Sequence, residues 1–310
     1  MRKRFVFIVF LFLFFFNAFL IGFKLQILND YNFIETFISK IYNISKEEIT
    51  VLTNNRYSKQ LSNNYVELTE DFYPKTKQDI KNIYYTILNS GMDSFTFYCD
   101  EDYINCIDDL NEITNDKMAL SHINNFVSTF NSYNNIVTTY NSYGKIEVTV
   151  TKTYNKEIIK IIEEKIDSIY STLVSEKNSD YENIKNIHDY IINNTKYDVN
   201  FENQKNPTFS SNTAYGPLFE NHAICGGYTD LMAIFLDKMG IENYKISNDK
   251  HIWNYVFVNN RWSHLDLTWD DPVTNTGENI LRYDYFLINN DVLNKLDNIE
   301  HSYDKEIYLK

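Results

Sequence analysis

Ala223-Ile224-Cys225-Gly226-Gly227-Tyr228-Thr229-Asp230-Leu231-Met232-Ala233-Ile234-Phe235-Leu236 is the stretch on which the fold turns. From Tyr228 the apolar residues recur at Leu231, Met232, Phe235, Leu236 and Met239, the spacing of an amphipathic helix and not of a strand. Gly240 supplies the stop. Cys225 then lies at the N-terminal end of the apolar stripe, where backbone N–H groups lack partners and the helix dipole is positive. Helix N-termini are among the places where a cysteine becomes a nucleophile. Gly226 and Gly227 leave no side chains beside the sulfur, room for a substrate backbone to approach. A small buried hydrophobe would suit the same position.

Downstream, His251-Ile252-Trp253-Asn254-Tyr255-Val256-Phe257-Val258 is rich in β-branched and aromatic residues. Asn259-Asn260 marks a tight turn, and Arg261 to Trp269 is expected to return as a second strand. A two-residue turn pairs Val258 with Arg261, which places Asp266 opposite Trp253 and diagonal to His251 on one face. A slip of one residue would separate them. His264 shares that face and His222 precedes Cys225 in the loop, so both compete with His251. A thiol, an imidazole and a carboxylate are the parts of a thiolate nucleophile, its acid/base partner and the group that orients that partner.

These residues resemble the transglutaminase-like superfamily of cysteine enzymes. The matching segments are Ala223 to Tyr228, His251-Ile252-Trp253-Asn254, and Leu265-Asp266-Leu267-Thr268-Trp269-Asp270-Asp271-Pro272. The helix end at Asn194-Thr195-Lys196-Tyr197-Asp198 also looks like that family, and the likeness runs from Tyr181 to Leu287. The resemblance implies an α+β fold with a papain/transglutaminase-like core, in which a helix carrying the cysteine packs on an antiparallel sheet carrying His and Asp. It implies catalytic roles for Cys225 as nucleophile, His251 as base and later acid, and Asp266 as the orienting carboxylate. Thr229 stands where the family often has alanine. Tyr197 or Tyr215 could supply the side chain that helps hold an oxyanion. The chemistry implied is acyl transfer on peptide or amide bonds, with peptidase action placed slightly ahead of transglutaminase action. The alternative is a surface binding or scaffold protein that keeps the fold without turnover.

Met1-Arg2-Lys3-Arg4 is basic, and Phe5 to Phe23 is a 19-residue run with Asn17 as its one strongly polar member. That length nears the ~20 residues of a bilayer span, and no Ala-x-Ala cleavage site follows. It reads as an uncleaved signal-anchor, with the residues after Phe23 outside the cell. Few Gly and Pro beside abundant Asn, Lys, Ile, Tyr and Phe fit an AT-rich bacterial genome. The net charge of −13 argues against nucleic acid as a partner. The expected partners are a protein or peptide substrate, cell-wall peptides among them, and the membrane. Cys99 and Cys106 read either as a disulfide, which leaves Cys225 free, or as two buried thiols. No cofactor or metal is implied; a turn before Pro272 accounts for Asp270 and Asp271.

The organisation expected is a signal-anchor at 1–23, a stalk at 24–65, a small α+β domain at 66–153 and a transglutaminase-like domain at 154–310. The small domain reads as a helix at 77–88 and strands at 94–98 and 145–153. Glu157 to Val174 reads as a helix with Ile158, Ile161, Ile162, Ile166 and Ile169 on its apolar face, followed by a capping box at Ser179 and Glu182.

Overall fold

Thr76 opens the first helix, α1 (Lys77–Asn89), through a capping box: its side chain accepts from Asp79 N–H while the Asp79 carboxylate takes the Thr76 N–H. A computed structural model of the chain describes residues 55–309 apart from 62, 101, 202–206, 274–279 and 297–298. The run Phe5 to Phe23 and most of the expected stalk lie outside the described residues. Among the described residues, no helix is long and apolar enough to cross a membrane.

After α1 come β1 (Ser94–Tyr98), α2 (Cys106–Asn115), α3 (Lys117–Asn124), β2 (Tyr133–Tyr140) and β3 (Lys145–Lys152). The strands form an antiparallel sheet in the order β1-β3-β2, and the alternation of β3 turns Ile146, Val148 and Val150 inward. Cys99, just past β1, is disulfide-bonded to Cys106 at the start of α2.

Asn155 caps α4 (Lys156–Leu173), and Ser179 with Glu182 forms the expected capping box of α5 (Asp180–Asn194). The apolar face of α4 is rotated from the expected one: Ile159, Ile162, Ile166 and Ile169 are buried, Ile158 is half-buried and Ile161 is exposed. Adjacent isoleucines offer two overlapping stripes, and packing against α5 selects one of them.

A short parallel pair, β4 (Lys196–Tyr197) with β5 (His222–Ala223), leads directly into α6 (Cys225–Lys238). This helix is buried on all sides from Gly226 to Leu236, where the sequence suggested a single stripe. It lies between α5 and an antiparallel sheet of β6 (Asn243–Ser247), β7 (Ile252–Val258) and β8 (Arg261–Leu265). The polar positions on it are satisfied locally. Asp230 pairs with Lys245 of β6 and accepts from the Tyr154 hydroxyl at 2.5 Å. Met239 and Gly240 close it, Gly240 at φ +71, with Ile241 N–H reaching Leu236 O and Gly240 N–H reaching Asp237 O. That is the Schellman ending expected of a glycine at this place.

Asn259 and Asn260 take φ of 53 and 59, the left-handed pair of a type I′ hairpin turn. Val258 therefore faces Arg261 and Tyr255 faces His264, the register expected. The return strand ends at Leu265 and does not continue to Trp269. Asp266 Oδ1 accepts from the N–H groups of Thr268 and Trp269, and so starts the short helix α7 (Leu267–Asp270). Two further helices follow, α8 (Asn290–Leu296) and α9 (Lys305–Tyr308). All of these elements belong to one compact unit, Val51–Lys310. Within it Asn125, just past α3, donates to Ser247 Oγ and to the Tyr308 hydroxyl. From the segment expected as a stalk, Lys59 pairs with Asp237 at 2.9 Å and Asn55 donates to Asn131 Oδ1 at 2.9 Å.

The glycines after Cys225 serve the chain's own packing. A Cβ on Gly227 would lie 2.3 Å from Ser211 O, and one on Gly226 would lie 2.1 Å from Asn212 Oδ1. The loop before β5 thus fills the space that the sequence suggested was left for substrate. Ser211 O is a backbone atom that also accepts from Ile224 N–H, whereas Asn212 is exposed and its side chain can swing away. Gly227→Ala is expected to cost about 1–3 kcal/mol of stability as an overpacking change. Gly226→Ala should cost clearly less, because alanine also favours the helix. Equal losses in denaturant melts would refute this assignment. Replacing both Cys99 and Cys106 by Ser should remove about 2 kcal/mol through the closed loop they define, read as a lower denaturation midpoint.

Candidate active site

Cys225 is the first residue of α6, and Ile224 before it offers no side-chain cap to the helix N–H groups. It is half-buried and, among the described residues, the free cysteine. Its approach is fixed from behind. Asp198 N–H donates to Ala223 O at 2.8 Å, and the Asp198 carboxylate holds the Ser211 hydroxyl at 2.7 Å.

The strand that follows His251 is latched to this helix by polar bonds. Thr229 Oγ1 donates to Ile252 O at 3.0 Å, and Asn254 Nδ2 donates to Thr229 O at 3.1 Å. The threonine that stands where the resembled family often has alanine thus joins the sulfur's helix to the imidazole's strand. Asn248 fixes the turn ahead of that strand, its Oδ1 accepting from the N–H groups of Lys250 and His251.

His251 Nε2 donates to Asp266 Oδ2 at 2.5 Å, so Nδ1 is the nitrogen left to face Cys225. Burial works against a charged ring, but the Asp266 carboxylate, its hydrogen bond and Cys225 together push the His251 pKa up to about 10. A ring shifted this way holds its proton through neutral pH, between Asp266 and Cys225. Trp253 stacks on it with centroids 5.5 Å apart, and Trp269 meets it edge-on.

Asp266 is 2% exposed. Burial alone would raise its pKa, yet the charge and hydrogen bond of His251, together with His301, hold it well below the usual carboxylate range. Oδ1 takes the two N–H groups of α7, and Oδ2 takes His251 and a second imidazole, His301 Nε2, at 2.8 Å. His301 is 3% exposed and stacked on Tyr285 with centroids 4.9 Å apart. The sequence reading missed it, since no local pattern links His301 to the hairpin. The donor atoms of His251, Asp266 and His301 all lie within 4.8 Å of one another, a set that could take a metal ion. Their 2.5 and 2.8 Å separations are those of proton-shared bonds.

The competing histidines are engaged elsewhere. His264 Nδ1 accepts from Trp253 Nε1 at 3.0 Å while Nε2 bonds Asn290 Oδ1 at 2.6 Å, and burial brings its pKa down to about 4. His222 Nδ1 bonds Glu220 O, and its ring stacks flat on Phe209. His188 bridges Asp189 and Asp270, pinning α7 to α5. Asp271 accepts from the Tyr228 hydroxyl at 2.5 Å, and burial raises its pKa to about 6. Tyr215 packs on Phe219, and Tyr197 packs against the core. A hollow of about 620 Å³ lined by Lys59, Glu163, Asp237 and Asn243 sits toward the other end of α6 from Cys225.

Residues 167–267 match the family model described as the Transglutaminase-like superfamily, a span that contains Cys225, His251 and Asp266. No curated protein matches the chain. Among solved structures, one described as a TGase is 16% identical over 44% of this chain and 44% of its own, with a TM-score of 0.31. A candidate cysteine protease from Cytophaga hutchinsonii is 14% identical over 47% of this chain and 65% of its own, with a TM-score of 0.27. The chain therefore spans less than two thirds of either. It is thus in residues 167–267, around the three candidate site residues, that this chain resembles the transglutaminase-like superfamily.

Proposed function

We propose that this chain is a cysteine acyl-transfer enzyme acting on peptide or amide bonds, with Cys225 as nucleophile, His251 as acid and base, and Asp266 as the orienting carboxylate. The observation that carries this reading is the His251 ring held between Cys225 and a buried carboxylate whose four acceptor positions are filled. Sγ attacks the carbonyl carbon to give a tetrahedral oxyanion. The C–N bond then breaks, the departing amine takes the proton of His251, and a thioester remains. Now neutral, His251 takes a proton from water as that water attacks the thioester, which releases the acid and regenerates the ion pair. If an amine attacks in place of water, the product is a new amide. The N–H groups at the uncapped start of α6 are the donors this reading assigns to the oxyanion.

Hydrolysis is the leading outcome because Cys225 is half-buried, which leaves its acyl group within reach of water. We place the enzyme outside the cell, anchored by Phe5 to Phe23, with cell-wall peptides as the first substrates to test. The Cys99–Cys106 disulfide supports an oxidising compartment.

Iodoacetamide should label Cys225 faster than free cysteine at neutral pH, and mass spectrometry of tryptic peptides identifies the site. With a cleaved peptide substrate, Cys225→Ala should abolish turnover and Asp266→Asn should lower it by about 10²–10⁴-fold. Supplying a lysine-type amine separates the two fates of the thioester, since transamidation adds the donor's mass to the product. An unreactive Cys225 would sink the proposal. The rate also has a signed pH dependence. The proton that leaves with the amine sits on His251, so acylation should hold across neutral pH and fall as pH rises through about 10. A fall centred near pH 7 would contradict this.

A further inference from the structure

Asp266 carries one more donor than the orientation of a single histidine needs, and the surrounding chain is built to present it. Asn248, whose Oδ1 fixes the turn before His251, uses its Nδ2 to grip Glu300 O and Ser302 O, each at 2.8 Å. Those carbonyls flank His301 on both sides. One asparagine therefore sets the distance between the two imidazoles, whose centroids lie 5.1 Å apart and perpendicular. The His301 ring is also boxed by Trp253 and Trp269 edge-on and by Tyr285 face-on. A ring placed for packing alone has no need of a nitrogen aimed at the one oxygen that also holds His251.

We propose that His301 is a positioning residue of the acyl-transfer site, whose Nε2–H keeps Asp266 anionic and its Oδ2 fixed toward His251. The inference rests on the acyl-transfer reading of Cys225 and adds to it a fourth side chain from the C-terminal segment. A buried carboxylate has about four acceptor positions. Thr268 N–H and Trp269 N–H fill two at Oδ1, His251 and His301 two at Oδ2. Removing the last donor leaves an anion short of one charge-assisted bond in a dry site, and such a carboxylate takes up a proton more readily. The hydrogen bond and the charge of His301 are both among the causes that hold Asp266 low. Once Asp266 is protonated, it no longer supports the His251 imidazolium. Other titratable groups face this cluster: Cys225 across His251, His264 from β8, Asp270 from α7, Tyr285 against the His301 ring, Tyr303 beside Trp253, and Lys305 of α9.

The test is the pH profile of iodoacetamide labelling at Cys225 in the intact chain, for wild type, His301→Phe and His301→Gln. Phe keeps an aromatic ring against Tyr285 and removes the donor, while Gln restores an N–H. The acid limb of His301→Phe is expected to move up by about one pH unit, the scale of one redistributed charge-assisted bond. His301→Gln should return it most of the way to wild type. A melting temperature for each variant separates folding from chemistry, since a packing role would lower Tm and leave the limb in place. An unmoved limb in a folded His301→Phe protein, or equal limbs for Phe and Gln, overturns the proposal. A wild-type Cys225 no faster than free cysteine would instead overturn the acyl-transfer reading. In that event the His251 ring, titrated by ¹⁵N NMR in the same variants, still reports whether His301 governs its carboxylate partner.

Discussion

A carboxylate that is 2% exposed and kept ionised is the constraint around which this molecule is arranged. Unpaired, such a buried charge costs several kcal/mol, so its donors must arrive together or the group will not stay charged. At Asp266 they come from three directions. Two backbone N–H groups require the chain to leave the sheet at Leu265 and turn into α7. One imidazole comes from the turn before β7, and the other from beyond α8. The early end of β8, the short helix and the return of the C-terminal segment are thus consequences of one desolvated anion.

The helix that carries the sulfur has the complementary problem of being buried all round while bearing polar side chains. Each is answered by a specific partner: Asp230 by Lys245 and Tyr154, Thr229 by Ile252 O, Tyr228 by Asp271. These bonds cross to the sheet, to the residues ahead of α4 and to the segment after α7. They contribute little net stability individually. Their effect is geometric, because an off-register slide of α6 against β7 would leave several buried polar groups unpaired at once. A cysteine on such a helix is held where a loop-borne one would wander.

Much of this was legible in the sequence because it depends on local pattern. Asn259-Asn260 dictated the turn, the turn dictated the register, and the register brought Asp266 and His251 to one neighbourhood. Gly240 and the Ser179–Glu182 box marked helix ends for reasons confined to a few residues. What stayed hidden depends on distant partners. Strand propensity carried the expected β8 on to Trp269, because the capping role of Asp266 competes with it only once its charge is buried. The face of α4 could not be read from isoleucines that lie side by side until α5 was packed against them. The purpose of Gly226 and Gly227 lay in the 211–213 loop, and His301 reaches Asp266 across 35 positions of chain with nothing periodic between them.

In the proposed reaction the three groups at Cys225 account for attack on a carbonyl, but not for what ends the thioester. In either outcome His251 must accept a proton from the incoming nucleophile, so acid–base chemistry does not discriminate between water and an amine. Exclusion does. An enzyme that transfers the acyl group to an amine must keep water from a reactive intermediate, which takes a closed wall around the sulfur. Trp253 and Trp269 shield the imidazole, and the 211–213 loop backs the glycines, yet Cys225 as a residue is only half-buried. Water needs no binding site to reach such a thioester, whereas an amine needs one to compete. On the proposed reading hydrolysis is therefore the expected outcome, and transamidation would require an acceptor surface that overcomes it.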